Sequence, residues 1–169
     1  MCYFLFLATP LTLSEVRSML PPGMSAHSAS PAEQAVLRPL HRGAQTVAQL
    51  RVGSCSCDLI RARDPDPRTD ERHLRSRHSQ AGLPRAEIVR ELERHRKGAT
   101  HFPPEEGWPV ALTGFVSEHA RNAGPTLYYL HFAPGPLRPT EPPRSTPVSL
   151  VLARADQWLV EGRPTIVLP

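Results

Sequence analysis

The sequence predicts one domain over residues 1–169, of α/β or α+β class, built as a four- to five-stranded mixed sheet backed by helices. Three observations carry this. Apolar runs of strand length recur, helix-start signals stand between them, and short strand-like segments close the chain. A length of 169 residues suits a single hydrophobic core.

Residues 2–8 (Cys-Tyr-Phe-Leu-Phe-Leu-Ala) form a continuous apolar run and read as a buried interior strand. Thr12 and Glu15 then make a capping box, with Leu11 and Val16 as the matching hydrophobic staple, and Pro21-Pro22-Gly23 ends the helix. After a small-residue loop, Ser30, Pro31 and Glu33 open a second helix, which Pro39 cuts short. Residues 45–59 alternate and read as one strand with a bend at Gly53.

A charged, proline-broken loop covers residues 61–68, and Thr69 with Asp70 and Glu71 opens a helix of low apolar content. Residues 84–97 form a stronger helix closed by Gly98, with Ile88, Val89 and Leu92 as its buried stripe. Pro109 opens another, closed by Ala123-Gly124. Residues 127–132 are a further interior strand. Residues 133–147, with six prolines, form an extended connection. Residues 148–152 and Thr165–Leu168 read as two short strands, with a helical turn over 155–160 between them.

Composition narrows the classes. Twenty prolines punctuate the chain, yet apolar content of 40% excludes wholesale disorder. Lys97 is the only lysine among twenty basic residues, a bias that reads as GC-rich coding and a bacterial-type source. The net charge of +4 is local: residues 61–100 hold eleven Arg and Lys against seven Asp and Glu, and the remainder is neutral. No apolar run reaches the ~20 residues of a membrane span, and the opening run has no basic residue before it, as a secretory signal would. Three cysteines are too few for a disulfide framework. A cytoplasmic protein without a membrane partner is expected.

The segment Gly53-Ser-Cys-Ser-Cys-Asp58 is the most unusual in the chain. On an extended strand Cys55 and Cys57 share a face, with Cα atoms about 6.6 Å apart. A disulfide between them therefore needs the chain to bend. As a pair they supply a redox thiol site or half of a soft-metal site; otherwise they are small buried hydrophobes of the core. Cys2 is the third candidate. Loss of Met1 would expose an N-terminal cysteine whose amine serves as base for its own thiol. The opening Met-Cys and apolar first strand resemble the start of class II glutamine amidotransferases, which implies a two-layered sheet architecture. The resemblance covers fewer than ten residues, and the family's downstream substrate segments are not found. If the first two strands are parallel, Cys2 lies at the opposite sheet edge from Cys55 and Cys57; a three-cysteine site requires antiparallel strands.

The eight histidines do not fall at metal-ligand spacing, and no metal or cofactor is assigned. His119 near Asn122 and His131 on the 127–132 strand are placed for a role, and each is equally a core-edge residue. Arg72, Arg75, Arg77, Arg90 and Arg94 offer a different function, a basic nucleic-acid-associated module. Interleaved acidic residues and the lack of stacking aromatics there favour a solvated face. A structural or partner-binding protein without chemistry is the third class. No phosphate loop, nucleophile elbow or metalloprotease motif occurs, and no enzymatic activity follows from the sequence.

Overall fold

The computed structural model describes residues 3–60, 67–80, 82–99, 107–133, 137–153 and 158–169. Its strands are β1 (Tyr3–Thr9), β2 (Met24–Ser28), β3 (Thr46–Val52), β4 (Thr126–Phe132), β5 (Arg144–Pro147) and β6 (Thr165–Leu168). Its helices are α1 (Leu13–Ser18), α2 (Pro31–Leu37), α3 (Cys57–Ile60), α4 (Pro67–Gln80), α5 (Arg85–Ala99), α6 (Trp108–Ala123) and α7 (Val148–Ala153). The class is α+β.

The strands form one mixed sheet of six, in the order β2-β3-β1-β4-β6-β5, where four or five were expected. The pairings from β2 across to β6 are antiparallel, and β5 joins β6 in parallel. In the first four strands, the β1–α1–β2 passage and the helical passage from β3 to β4 each leave one strand between their ends, the split β-α-β arrangement, while α2 joins the adjacent antiparallel strands β2 and β3. A single sheet departs from the two-layered architecture that the amidotransferase resemblance implies.

β1 and β4 are interior strands, as their unbroken apolar runs require. The two unpredicted segments are the two edges. β2 reads Met-Ser-Ala-His-Ser and buries only Met24 and Ala26, so its alternation is carried by small residues. β5 comes from the end of the proline-rich segment; an edge strand tolerates Pro147 because one side of its ladder is unused. Residues 148–153 are helical, not a strand. Val148 and Val151, three apart, pack toward the core, while Leu150 and Leu152 stay exposed.

Both capping boxes are formed. The Glu15 carboxylate accepts from the Thr12 backbone N–H at 2.7 Å, and Glu33 accepts from that of Ser30 at 2.7 Å. Two apolar clusters fill the faces of the sheet. On one face Tyr3, Leu5 and Leu7 of β1 meet Leu50, Tyr128 and Leu130, covered by Val16 of α1, Leu59 of α3, Val151 of α7, and Leu112, Phe115 and Val116 of α6. On the other, Phe6 and Ala8 meet Val47, Leu127 and Tyr129 under Leu37 of α2. Leu74, Ile88 and Leu92 join α4 to α5 in a small core of their own. Among the described residues no helix is long and apolar enough to cross a membrane.

The long strand expected over 45–59 stops at Val52. Gly53 takes a φ of +64°, a conformation that favours glycine, and the chain reverses so that Val52 N–H donates to the Cys55 carbonyl at 2.9 Å. The returning segment is locked to β1 by Ser56, which is fully buried. Leu5 N–H donates to Ser56 Oγ at 2.8 Å, and Ser56 Oγ–H donates to the Leu50 carbonyl at 2.5 Å. The hydroxyl thus stands between two paired residues of β1 and β3. Ser56→Ala leaves a buried backbone donor and acceptor without partners. It should lower unfolding free energy by about 2–4 kcal/mol, read from urea melts, given roughly 1–3 kcal/mol per unsatisfied buried group. A change below a few tenths of a kcal/mol would remove Ser56 from this role.

Candidate functional site

The bend after β3 decides the geometry of the cysteine pair. Cys55 lies in the hairpin that Gly53 makes and is half-buried. Cys57 is the first residue of α3 and is 8% exposed. They do not share the face of one strand, and no Cys55–Cys57 disulfide is formed. Chain direction changes at Ser56 between them, the condition that an extended strand fails to meet for thiol pairing.

Cys57 is also tied to the first strand. Tyr3 N–H donates to Cys57 Sγ at 3.3 Å, and Ser56 N–H donates to the Tyr3 carbonyl at 2.9 Å. This contact follows from topology: β1 and β3 are antiparallel, so the start of β1 lies against the end of β3. The antiparallel condition for bringing the first strand's start to the Cys55–Cys57 segment is therefore met. Cys2 itself lies outside the described residues.

Around Tyr3 the corner is aromatic. The Tyr3 ring meets Phe132 with centroids 5.1 Å apart, and Phe132 meets the buried His78 of α4 at 5.9 Å. Tyr3 Oη–H donates to Glu161 at 3.2 Å. Among the described residues no group of three His, Cys, Asp or Glu is placed to hold a metal ion.

The arginines proposed for nucleic acid lie elsewhere. Arg72, Arg75 and Arg90 are exposed on α4 and α5. The side chains of Arg77 and Arg94 lie outside the described residues.

His119 occupies a position that sequence spacing did not reveal. It is fully buried, and its ring stacks on Phe115 at 5.2 Å. Thr9 Oγ1 is 3.2 Å from Nε2, and the Tyr128 hydroxyl is 3.1 Å from Nδ1. Asn122 takes no part; it donates instead to the Glu118 carbonyl. The clue available in the sequence was Thr9 and Tyr128, polar groups within strands that otherwise read as apolar. Burial pulls the His119 imidazole down to about 4 from its ordinary 6.5, and pushes the Tyr128 hydroxyl up. A neutral ring between two hydroxyls satisfies every polar atom of the trio in either tautomer. The arrangement is a core hydrogen-bond network.

Its consequence is a pH dependence with a defined sign. The folded value lies below the unfolded one, so the unfolded chain takes up the proton first as pH falls. The stability due to neutral His119 is complete above about 6.5 and is lost as pH falls toward about 4. The loss should be on the order of 3 kcal/mol. His119→Phe keeps the stacked ring and should be less stable near neutrality while showing a flatter stability profile between those limits. Parallel profiles in the two proteins would place the acid sensitivity elsewhere.

No protein family matches the chain, no curated protein is similar to it, and no solved structure matches it.

Proposed function

We propose that the protein acts through a pair of thiols, Cys55 and Cys57, that cycle between dithiol and disulfide. The observation that supports this most directly is the difference between two cysteines at one bend. Cys55 is half-buried and reachable, whereas Cys57 is buried and held by the Tyr3 amide at 3.3 Å. An attacking and a resolving thiol need that asymmetry. In the exchange, the Cys55 thiolate attacks a disulfide of the partner molecule and one partner thiol leaves. The Cys57 thiolate then attacks the Cys55 sulfur, releasing the second partner thiol and leaving an intramolecular disulfide. Two electrons pass from the protein to the partner disulfide, and no other oxidant is needed.

The start of β1 at this corner makes Cys2 the natural third thiol to test, as an alternative resolving group or as a ligand to a soft cation. Glutathione disulfide should convert the native protein to a form lighter by two hydrogens, with Cys55 linked to Cys57 on peptide mapping. Cys55→Ser should abolish that form, and Cys57→Ser should trap the mixed disulfide on Cys55. Cys2→Ser should leave the reaction intact. If a Cys2-containing disulfide forms instead, the pair is misassigned. If native protein purified without chelator carries a stoichiometric soft metal, and both thiols label only after its removal, the corner is a metal site. Labelling of neither cysteine until the chain unfolds, with no metal bound, would assign both to the core.

A further inference from the structure

The sheet face away from α6 holds a cation that the thiol corner does not use. Side chains alternate along β3, so Leu50 and Val52 join the α6 side while Val47, Gln49 and Arg51 take the other. Cross-strand register puts Arg51 beside Ser25 on the edge strand, and Gln49 between His27 of β2 and Phe6 of β1. In β1 and β4 the next row is Phe4 with His131. Leu37 and Ala29 cover the Val47 end of this face. Toward Arg51 the cover thins: Ser25, Phe4, Arg51 and His131 are half-buried and His27 is exposed.

Arg51 is positioned by its neighbours without being neutralised. Its Nε and Nη2 both donate to Gln49 Oε1, the Nε bond at 2.7 Å, and Gln49 is only 5% exposed. The guanidinium lies over the Phe4 ring, 5.9 Å from its centroid. Among the described residues no carboxylate pairs with it. A guanidinium has five N–H groups. The Nε–Nη2 edge is spent on Gln49, which leaves the end-on fork of Nη1 and Nη2 free, the fork that fits a planar carboxylate or a phosphate. On the edge strand Ser25 Oγ lies 3.2 Å from His27 Nε2, so further polar groups border the same place.

We propose that this face binds a small molecule through a carboxylate or phosphate group, with Arg51 as the anion anchor, Gln49 as the residue that orients it and Phe4 as an apolar floor. His27 and Ser25 form the polar border on the β2 side. Ligand charge is dictated by the uncompensated cation, and a flat apolar body suits the Phe4–His131 row. The site is separate from the cysteines, since Cys57 packs with the cluster on the opposite face.

The test is an amide and side-chain NMR titration of the full chain with inorganic phosphate and, separately, with benzoate, each against sodium chloride at equal ionic strength. Saturable shifts at Arg51 Nε–H, the Gln49 side-chain amide and Phe4 are expected with at least one probe. Response to phosphate alone identifies a phosphate ester as the ligand class, and response to benzoate alone identifies a carboxylate. Arg51→Gln should weaken binding at least about tenfold, and Arg51→Lys should weaken it less but measurably, because a lysine has no fork. His27→Ala, at an exposed position, provides a variant expected to keep the fold and lose only part of the affinity. Shifts reproduced by chloride, shifts unchanged in Arg51→Gln, or no saturable response to either probe would overturn the proposal. Cys55–Cys57 oxidation should proceed equally in Arg51→Gln, so failure of the thiol reading and failure of this one are read separately.

Discussion

The first strand lies in the middle of the sheet, and its opening residues must be hydrogen-bonded after the ladder with β3 has ended. β3 turns away at the positive φ of Gly53, level with the start of its far-side neighbour β2 at Met24, opposite Val52. What replaces the ladder is a pair of side chains: the Ser56 hydroxyl beside Leu5 and the Cys57 sulfur beneath the Tyr3 amide. Buried backbone groups without partners are expensive, so the central strand can start where it does only because the Cys-Ser-Cys segment folds back beside it. The hairpin, the short α3 helix and the placement of both cysteines follow from that requirement.

The two faces of the sheet solve different problems. The α6 face is closed: His119 sits between Thr9 and Tyr128, and Tyr128 meets Trp158 edge-on at 5.2 Å, while the buried Trp158 Nε1 has no hydrogen-bond partner among the described residues. A charge there would have no compensation, which is why burial holds the imidazole neutral. The α2 face is closed at one end only. There the polar pair Gln49 and Arg51 replaces the aliphatic residues of the opposite face, and a charge is tolerated because solvent or a ligand can reach it. Alternation along one strand thus separates a sealed core from a face that keeps a cation within reach of solvent.

Much of this was legible in the residues, in a pattern with a physical reason. Thr12–Glu15 and Ser30–Glu33 announced their helices because a capping box depends on neighbours in sequence and needs no tertiary contact. The interior strands showed as apolar runs because both faces are buried. Both edge strands escaped notice: β2 carries serines and a histidine, and β5 ends in proline, as edges permit. Residues 148–153 misled in the other direction, since Val and Leu suit a strand by propensity while burial of only one helical stripe sets the outcome. The cysteine segment was conspicuous by composition, but its register was not. Period two over Cys55 and Cys57 holds only if the chain stays extended, and the positive φ of Gly53 ends that two residues earlier. Arg51 gave no local signal, because its isolation from carboxylates is a property of the assembled sheet.

In the proposed exchange the thiol pair would carry two tasks that compete. As an acceptor, Cys57 Sγ holds the Tyr3 amide at 3.3 Å and steadies the start of the central strand. As the proposed resolving thiol, it would bond to Cys55 and give that amide up. The strand is not lost when this happens, because Ser56 retains its own bonds to Leu5, Leu50 and Tyr3 through atoms that take no part in the chemistry. The serine between the cysteines separates anchoring from reactivity. What the proposed oxidation would release is confined to Tyr3, whose ring lies against Phe132 and whose hydroxyl donates to Glu161. The proposed redox change at Cys57 would thereby be felt at the aromatic corner where α4 meets the sheet, and the rest of β1 would be left in place.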